Sequence, residues 1–274
     1  MEHRNVDRLV RKVGSWAEFT EAVLRIDKIY SDLRAENPGA YIQRPLWRGQ
    51  SNAEWQLVTT LQRFAPNVRS LASYYWAAYA AKPQIESFTG RRWDIQDPQG
   101  YAQWATNYDS RGQEFSSYEY LAYLRHFGFP SPLLDWSLSP YIAAWFALAE
   151  SEQHDAAVFT YFESKGVKVH SSNEAQIQVR GPYVRADKRH FLQQCQYTVC
   201  LRFENAAWHY ADHQEVIAKG NTDQDVLMKF VLSGSMRRMA LQELDRFNIN
   251  AYSLFGSEEA LMKTMANREL LSSQ

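Results

Sequence analysis

The sequence predicts an α+β fold, a single domain of residues 1–274 with a central mixed or antiparallel sheet flanked by helices. Two observations support this. Amphipathic helical patterns dominate the two ends of the chain, whereas runs of β-branched and aromatic residues dominate its middle. With 274 residues and 45% apolar content the chain can bury a large core, and no repeat or linker divides it.

The N-terminal elements are predicted from capping signals and periodicity. Ser15, with Glu18 three residues later, has the spacing of a capping box and opens an amphipathic helix over residues 15–36. An Asn-Pro-Gly turn ends this helix. A strand is predicted from Tyr41 to Trp47, so the sequence Arg48-Gly49-Gln50-Ser51 is expected at its C-terminal end.

Two helical patterns follow at residues 57–64 and 70–81, and the second is apolar enough to be buried. Residues 83–113 mix Pro, Gly, Arg and aromatic residues without clean periodicity. They are predicted to form a long lid or insertion loop, because long loops in compact domains are usually functional or disordered. Residues 116–126 return to a helical pattern, and a short strand is predicted at 133–136.

The second half of the chain begins with Pro140, which opens an apolar helix over residues 141–150. C-terminal helices are predicted over residues 235–271. Three strands are predicted from β-branched and aromatic content, at residues 155–162, 197–203 and 227–234.

Composition limits the function classes. A net charge of −1 excludes a globally basic nucleic-acid clamp but allows a local basic groove. Cys195 and Cys200 fit neither a CxxC motif nor a disulfide framework, which indicates a reduced, cytoplasmic protein. The sequence contains no signal-peptide pattern and no long apolar run, so no membrane association is expected.

Two segments, residues 45–51 and 126–146, place polar side chains inside otherwise apolar and aromatic stretches. An unpaired charge or hydroxyl buried there would cost several kcal/mol. Such residues therefore indicate either a buried polar network or a functional site. The residues concerned are Arg48, His126, Asp135 and Ser137.

These segments, in this order, resemble the FRG domain, a family named for a Phe/Tyr/Trp-Arg-Gly motif. The stretches that carry the resemblance are Trp47 to Ser51 with Trp55, Gln56, Leu57 and Arg63; His126 to Ser137; Pro140 with Ala143, Ala144 and Phe146; Arg189 to Gln193; and Asn248 to Phe255. The chain departs from the family pattern at Arg125, Pro132 and Cys195, where the family commonly has Gln, Arg and Gly. The departure at Pro132 removes an anion contact.

The aromatic-Arg-Gly motif is also similar to the opening motif of ADP-ribosyltransferases, and this resemblance implies an ADP-ribosyltransferase-like core with NAD as co-substrate and no metal. Arg48 would contact the ribose or phosphate, and Gly49 would let the backbone approach the nicotinamide because it lacks a Cβ. Gln193 or Glu215 would stabilise an oxocarbenium-like transition state, a task for which a carboxylate suits better than an amide. The other implied cofactor-binding residues are Trp47, Gln50, Ser51, His126, Asp135, Trp136 and Ser137.

The acceptor of ADP-ribose is expected to be a macromolecule that docks at residues 83–113. Rings and local positive charge suit a single-stranded nucleic acid, RNA or DNA, slightly better than a protein. Because such an enzyme would be toxic to its own cell, a toxin–antitoxin or antiphage setting with a neutralising antitoxin protein is expected. The candidate acceptor-binding residues are Arg91, Arg92, Trp93, Trp104 and Arg111.

Two alternatives stay open. Arg48 could pair with Asp135 simply to tie two strands together, and the site could bind a nucleotide-like ligand or a protein without turnover. A metal site is not expected, because His209 and His213 have helical spacing but lack the glutamate of an HExxH motif. The chain contains no P-loop and no GxGxxG motif, which excludes those two nucleotide-binding folds.

Overall fold

The computed structural model describes residues 10–108, 117–151, 154–163, 174–181, 188–219 and 225–271. Its strands are β1 (Val10–Val13), β2 (Leu46–Gln50), β3 (Leu134–Ser137), β4 (Ala156–Glu163), β5 (Gln176–Arg180), β6 (Cys195–Glu204), β7 (Ala207–Tyr210) and β8 (Asp225–Leu232). Its helices are α1 (Trp16–Glu36), α2 (Thr60–Phe64), α3 (Leu71–Thr89), α4 (Pro98–Thr106), α5 (Tyr118–His126), α6 (Pro140–Leu148), α7 (Lys188–Leu192), α8 (His213–Lys219), α9 (Arg237–Arg246), α10 (Ala251–Phe255) and α11 (Glu258–Leu271).

The strands form one mixed sheet in the order β1-β8-β4-β2-β3-β6-β5, and β7 pairs with β6. The pair β1–β8 is parallel, and the remaining described pairs are antiparallel. The fold-class prediction is confirmed as an α+β single domain with a mostly antiparallel mixed sheet and flanking helices. The ADP-ribosyltransferase-like core stays a prediction.

The central strands β2 and β3 are barely joined. Among the described residues, Trp47 opposite Ser137 is the one backbone pair between them, whereas β2 pairs with β4 at five successive positions. On the other side, β3 pairs with β6 at four successive positions. Each half of the sheet is therefore continuous, and the ladder stops at the junction between the halves.

Helices cover both halves of the sheet. Helices α1, α6 and α9 pack on β4 and β8, with Phe19, Ala144 and Phe230 among the buried residues of that layer. Helices α3, α4 and α5 pack against β6 and β7 around an aromatic cluster. On the opposite face, Trp136 and Tyr161 are buried in a third cluster, against which α8 packs. The junction between β2 and β3 therefore lies in the middle of the fold.

Gly49 is explained by the packing of α6 on β2. A Cβ built on Gly49 would collide with the carbonyl oxygen of Ala143 and lie 2.5 Å from the backbone nitrogen of Ala147. A residue without a Cβ is required for such a close approach. The close neighbour of Gly49 is thus a helix of the same chain, which differs from the nicotinamide approach expected from the sequence.

Several predicted elements shift in position. Ser15 caps α1 as expected, by accepting a hydrogen bond of 3.2 Å from the Glu18 backbone nitrogen. The strand predicted at residues 41–47 is instead β2, which begins at Leu46, so Arg48 and Gly49 lie within the strand and not at its end. His209 and His213 do not share a helix, since His209 lies on β7 and His213 begins α8.

The segment 83–113 is less irregular than its sequence predicts. Helix α3 extends to Thr89, and α4 begins at Pro98, where the Asp97 side chain accepts hydrogen bonds from two backbone nitrogens. The expectation of a continuous loop is therefore wrong for residues 83–89 and 98–106, which are helical, whereas residues 90–97 between them are irregular as expected. Residues 109–113 lie outside the described residues. A role of this segment as a lid stays a prediction. Among the described helices, none combines the length and apolar character that crossing a bilayer requires.

Candidate functional site

A cavity of about 230 Å³ opens beside the junction of β2 and β3, and we call it the cleft. Its volume is below the roughly 300–1,000 Å³ typical of pockets that enclose a drug-sized ligand. It can therefore hold one ring-sized part of a larger ligand. The cleft is lined by Trp47, Arg48, Gly49, Gln50, Ser51, Trp55, Arg63, Asp135, Trp136, Ser137, Ala143, Phe146, Gln193 and Cys195.

Arg48 and Asp135 form an ion pair across the junction. Arg48 Nη1 donates a hydrogen bond to the Asp135 carboxylate and another, of 2.7 Å, to the Asp135 backbone carbonyl. Arg125 Nη2 donates to the same carboxylate oxygen, Oδ1, over 2.8 Å. The two arginine side chains are 12% and 17% exposed and that of Asp135 is 39% exposed, so the carboxylate stays reachable from solvent.

This cluster holds more positive than negative charges, and they shift the pKa values of its members. Burial disfavours the ionised form of Asp135, but the charges of Arg125 and Arg48 outweigh this effect and hold the pKa of the carboxyl well below its usual range. Asp135 in turn raises the pKa of Arg125. Arg63 is affected in the opposite direction, since partial burial and repulsion from Arg48 and Arg125 lower its pKa. At neutral pH one ionised carboxylate thus faces three cations, and the cluster carries a net positive charge.

Arg63 differs from the other two arginines in its surroundings. Within the described part of the chain it forms no ion pair, and it lies on the exposed side of α2 while lining the cleft. An anion bound in the cleft would relieve its repulsion from Arg48 and Arg125. Arg63 is therefore the cation best placed to take a phosphate group.

Gln193 lies on the cleft wall and is held by three neighbours. Its side-chain nitrogen donates to the Leu254 carbonyl over 3.1 Å, and its side-chain oxygen lies 3.7 Å from Cys195 Sγ. Its backbone carbonyl accepts a hydrogen bond of 2.8 Å from Ser137 Oγ. These contacts fix the amide beside the end of β3.

Two of the cleft tryptophans belong mainly to the core. Trp47 is buried and lies 6.3 Å from the Phe230 ring, in a stacked arrangement. The Trp136 indole nitrogen donates to Thr198 Oγ1 over 2.8 Å. Trp55, at 50% exposed, is the cleft tryptophan with the largest surface available to a ligand.

Several buried polar atoms around the cleft have no hydrogen-bond partner among the described residues. They are Gln50 Oε1, Arg48 Nε and Arg125 Nε. The other end of the Gln50 amide donates to the Gln56 carbonyl over 3.4 Å. An unsatisfied buried polar group costs about 1–3 kcal/mol, so the cleft region retains hydrogen-bonding capacity that a polar ligand could use.

His126 and Glu215, both expected at the site, do not line the cleft. His126 Nε2 lies 2.5 Å from the Tyr197 hydroxyl, and an imidazole nitrogen of His126 lies within 4.8 Å of Cys195 and His190 atoms. Glu215 lies on α8, where its carboxylate accepts a hydrogen bond from Arg202 of β6. Of the two alternatives for the third functional residue, Gln193 lines the cleft together with Arg48 and Glu215 does not. Gln193 lies in the turn before β6 and Glu215 on α8, so neither alternative lies on a strand.

The expected acceptor-binding residues also lie away from the cleft. The Arg91 guanidinium lies over the Tyr123 ring at 5.5 Å. Arg92 and Trp93 line a separate shallow cavity. Trp104 packs beside the buried Tyr101, with 5.4 Å between ring centroids. Arg111 lies outside the described residues.

A group of possible metal ligands lies next to the cleft, although the sequence indicates no metal. Atoms of His126, His190 and Cys195 lie within 4.8 Å of one another. The Tyr197 hydroxyl bonds with both imidazoles, at 2.5 Å and 3.3 Å. Burial raises the pKa of the Cys195 thiol far above its ordinary value. A tyrosine-centred hydrogen-bond network therefore accounts for this cluster.

The sequence-based selection of site residues missed six residues of the cleft and its ion-pair cluster: Trp55, Arg63, Arg125, Ala143, Phe146 and Cys195. Trp55 and Arg63 lie in the same sequence stretch as Arg48. A search of that stretch for side chains that could contact Arg48 or its ligand could have found them. Arg125 looks like an ordinary helix-terminal cation, because its position beside Asp135 depends on the turn that follows α5.

Residues 43–156 match the family model described as the FRG domain. The matched range includes Arg48 and Asp135 and ends before Gln193. No curated protein and no solved structure matches the chain.

Proposed function

Because the chain contains an FRG domain over residues 43–156, with the cleft built on two of its strands, we propose that the protein is an NAD-dependent ADP-ribosyltransferase. The supporting observation is the convergence of Arg48, Asp135 and Gln193, from separate elements, on one cationic cavity. The cleft takes the nicotinamide-ribose end of NAD, which matches its small volume. The remainder of NAD lies outside, with its pyrophosphate near Arg63.

The chemistry requires charge stabilisation more than proton transfer. The bond between ribose C1′ and the nicotinamide nitrogen breaks, and neutral nicotinamide leaves with the bonding electrons. A nucleophilic atom of the acceptor forms the new bond to C1′ and releases its proton to solvent. Positive charge develops on the ribose during this exchange, and a fixed carboxylate stabilises such charge.

Asp135 is the one carboxylate among the described residues that line the cleft, and both arginines bond its Oδ1, so Oδ2 is the oxygen that would face the ribose. Its lowered pKa keeps it ionised at neutral pH, and two arginines fix its position. Gln193 lines the same cleft near the end of β3, with its amide held by Leu254 and its backbone carbonyl by Ser137. In this proposal Asp135, with Gln193, replaces Glu215 as the residue that faces the developing charge.

A second candidate function is a binding module for a nucleotide-like ligand, without turnover. One observation favours it: Arg48 already donates to both the carboxylate and the backbone carbonyl of Asp135. A guanidinium engaged in this way stabilises the junction of β2 and β3 whether or not chemistry occurs. The two functions share the cleft and differ in nicotinamide release.

The test compares the Asp135→Asn variant with Asp245→Asn. Asp245 is a suitable control, because it too has a lowered pKa and an arginine partner, Arg268, but does not line the cleft. Each protein is incubated with adenylate-labelled NAD and total RNA, DNA and protein, and bound NAD, released nicotinamide and transferred label are measured. Circular dichroism checks that each variant folds.

We expect wild type and Asp245→Asn to release nicotinamide, and Asp135→Asn to release it at least about a hundredfold more slowly, the usual effect of losing one transition-state contact. If wild type binds NAD without releasing nicotinamide, the binding module is correct. If NAD neither binds nor reacts, the NAD proposal is wrong.

A further inference from the structure

A second cavity, of about 480 Å³, lies among three helices, and we call it the helical cavity. It is bounded by Trp145 of α6, by α9 with the turn that follows it, and by residues 264–268 of α11. It is larger than the cleft and shares no lining residue with it. Pockets that enclose a whole small molecule have volumes of roughly 300–1,000 Å³. The helical cavity can therefore hold a complete ligand of that kind.

Hydrogen bonds between the helices fix the shape of the helical cavity. The Asp245 carboxylate of α9 accepts hydrogen bonds of 2.7 Å and 2.8 Å from Arg268 of α11, and one of 2.8 Å from the Asn250 amide. The Thr264 hydroxyl oxygen accepts a hydrogen bond of 3.0 Å from the Tyr252 backbone nitrogen. Asn250 and Thr264 are buried. The cavity is thus formed before a ligand arrives, as is usual for small-molecule sites.

Part of the lining is apolar. Trp145, Leu241 and Ile249 are partly exposed, and they pack against the hydrophobic core that α1, α6 and α9 share. Burial of apolar surface favours binding. Three apolar side chains held in place by the core therefore suit a ring or another rigid apolar group.

The charged groups of the helical cavity are mostly cations. Arginines outnumber carboxylates in its lining by four to one. Glu243 bonds Arg246 from outside the lining, which still leaves the cations in excess. Such an excess attracts an anionic ligand and repels a cationic one. The four arginines are Arg237, Arg238, Arg246 and Arg268, and the carboxylate is that of Asp245.

Two of these arginines keep donors for a ligand despite their present contacts. A guanidinium has five N–H donors. Arg268 uses Nε and Nη2 on Asp245, and Arg237 uses Nε and Nη2 on the carbonyl oxygens of Leu148 and Ala149. Each therefore retains three of the five. Among the described buried polar atoms without a partner none belongs to Arg237, so its Nη1 is open to solvent.

Two side-chain amides of the lining are also available. Gln242 of α9 and Asn267 of α11 are exposed, and neither has a hydrogen-bond partner within the described part of the chain. An amide offers both a donor and an acceptor. Such groups can therefore pair with the polar edge of a ring.

We propose that the helical cavity binds a mononucleotide, a small organic anion that carries a ring with a polar edge. The phosphate bonds the arginines through charge-assisted hydrogen bonds. The ring covers the apolar side chains, and its edge pairs with Gln242 and Asn267. Each part of this ligand class thus has a counterpart in the lining. The proposal does not depend on the transferase activity, because the cavity and the cleft share no residue.

The test is isothermal titration of the full-length protein, in the absence of NAD, with AMP, adenosine and inorganic phosphate. Adenosine lacks the anionic group, and inorganic phosphate lacks the ring. Arg246→Gln and Asn267→Ala are compared with Arg25→Gln. Arg25 is a matched control because, like Arg246, it is an exposed helical arginine paired with a glutamate of its own helix, but it lies on α1. Circular dichroism checks that each variant folds.

We expect AMP to bind at least about tenfold more tightly than adenosine or inorganic phosphate, because AMP alone uses both the arginines and the apolar lining. Arg246→Gln should weaken AMP binding about tenfold, through loss of one charge-assisted hydrogen bond. Asn267→Ala should weaken it about fivefold, through loss of a neutral one. Arg25→Gln should leave it unchanged. The Arg246 side chain is 72% exposed and Asn267 has no described partner, so both variants should keep the fold.

Equal affinity for AMP in wild type, Arg246→Gln and Asn267→Ala would overturn the proposal. Adenosine or inorganic phosphate binding as tightly as AMP would overturn it too, since one half of the lining would then contribute nothing. The same holds if wild type binds no AMP at low salt. Arg63→Gln separates the two cavities. If that variant alone weakens AMP binding, the nucleotide binds in the cleft and the helical cavity is not its site.

Discussion

Arg48 and Asp135 pair at the point where the backbone ladder between β2 and β3 stops. The Arg48 guanidinium donates both to the carboxylate and to the backbone carbonyl of Asp135, so a side chain joins the two halves of the sheet there. Arg125 bonds the same carboxylate oxygen from the end of α5. The ion pair therefore lies where the sheet opens between β2 and β3, and both of its residues line the cleft at this opening.

Stability at low pH should depend on Asp135. Its pKa is lowered in the folded protein, so the ion pairs contribute stability above the unfolded pKa of about 3.9. That contribution is lost as the pH falls below this value toward the folded pKa. Urea unfolding of wild type at several pH values should show the loss, and Asp135→Asn should lose less stability over the same interval. Parallel curves for the two proteins would contradict the assignment.

Gly49→Ala should destabilise the protein strongly, because the new Cβ would collide with the backbone of α6 at Ala143 and Ala147. Overpacking of this kind costs about 1–3 kcal/mol, and more where the neighbour is backbone. The control is Gly14→Ala, where the nearest atoms lie 3.8 Å from a Cβ, so ordinary contact results. Urea denaturation midpoints measure both. Equal midpoints would mean that α6 moves aside freely.

Gln193 and Glu215 should differ sharply in their importance, although the sequence offers them as alternatives. Gln193 lines the cleft, whereas Glu215, on α8, pairs with Arg202 of β6. Gln193→Ala should lower nicotinamide release at least about tenfold, through loss of one positioned polar group, and Glu215→Gln should leave it unchanged. Initial rates at saturating NAD provide the measurement. A loss confined to Glu215→Gln would place the reacting end of NAD elsewhere.

Arg63→Gln should weaken the binding of NAD and of inorganic pyrophosphate about tenfold, as expected for one charge-assisted hydrogen bond. The removed cation is exposed and lies outside the Arg48–Asp135 pair, so folding should be unaffected. Arg25→Gln is the matched control, since Arg25 is an exposed helical arginine of α1 that pairs with Glu21. Isothermal titration at two salt concentrations tests this, because the Arg63 effect should shrink with salt.

Five of the eight described strands could be predicted because local patterns determine them, whereas β1, β5 and β7 were not predicted. β-Branched and aromatic runs became β4, β6 and β8, and Ser15 capped α1. The boundary of β2 was wrong because Arg48 and Gly49 have little intrinsic strand preference, and the pairing of Leu46 to Gln50 with β4 overrides it.

The rest of the site depends on contacts between distant parts of the chain. Neither the stop in the ladder between β2 and β3 nor the approach of Arg125 to Asp135 has a local signal. Helix α4, by contrast, did have a local signal in the sequence, because Asp97 followed by Pro98 is a regular helix start. The mixture of Pro, Gly and aromatic residues around it obscured that signal.

Trp55 and Trp76 make a matched pair for testing whether the cleft is where the ligand binds. Both indoles are 50% exposed, but Trp55 lines the cleft and Trp76 lies on α3. Trp55→Ala should weaken NAD binding about tenfold, because an aromatic contact is worth about 0.5–1.5 kcal/mol beyond the area it buries, and Trp76→Ala should have no effect. Fluorescence adds an independent readout: NAD should quench less in Trp55→Ala than in wild type. Equal quenching in wild type and Trp55→Ala, with quenching reduced only in Trp76→Ala, would locate the ligand on the α3 face and remove the cleft as the NAD site.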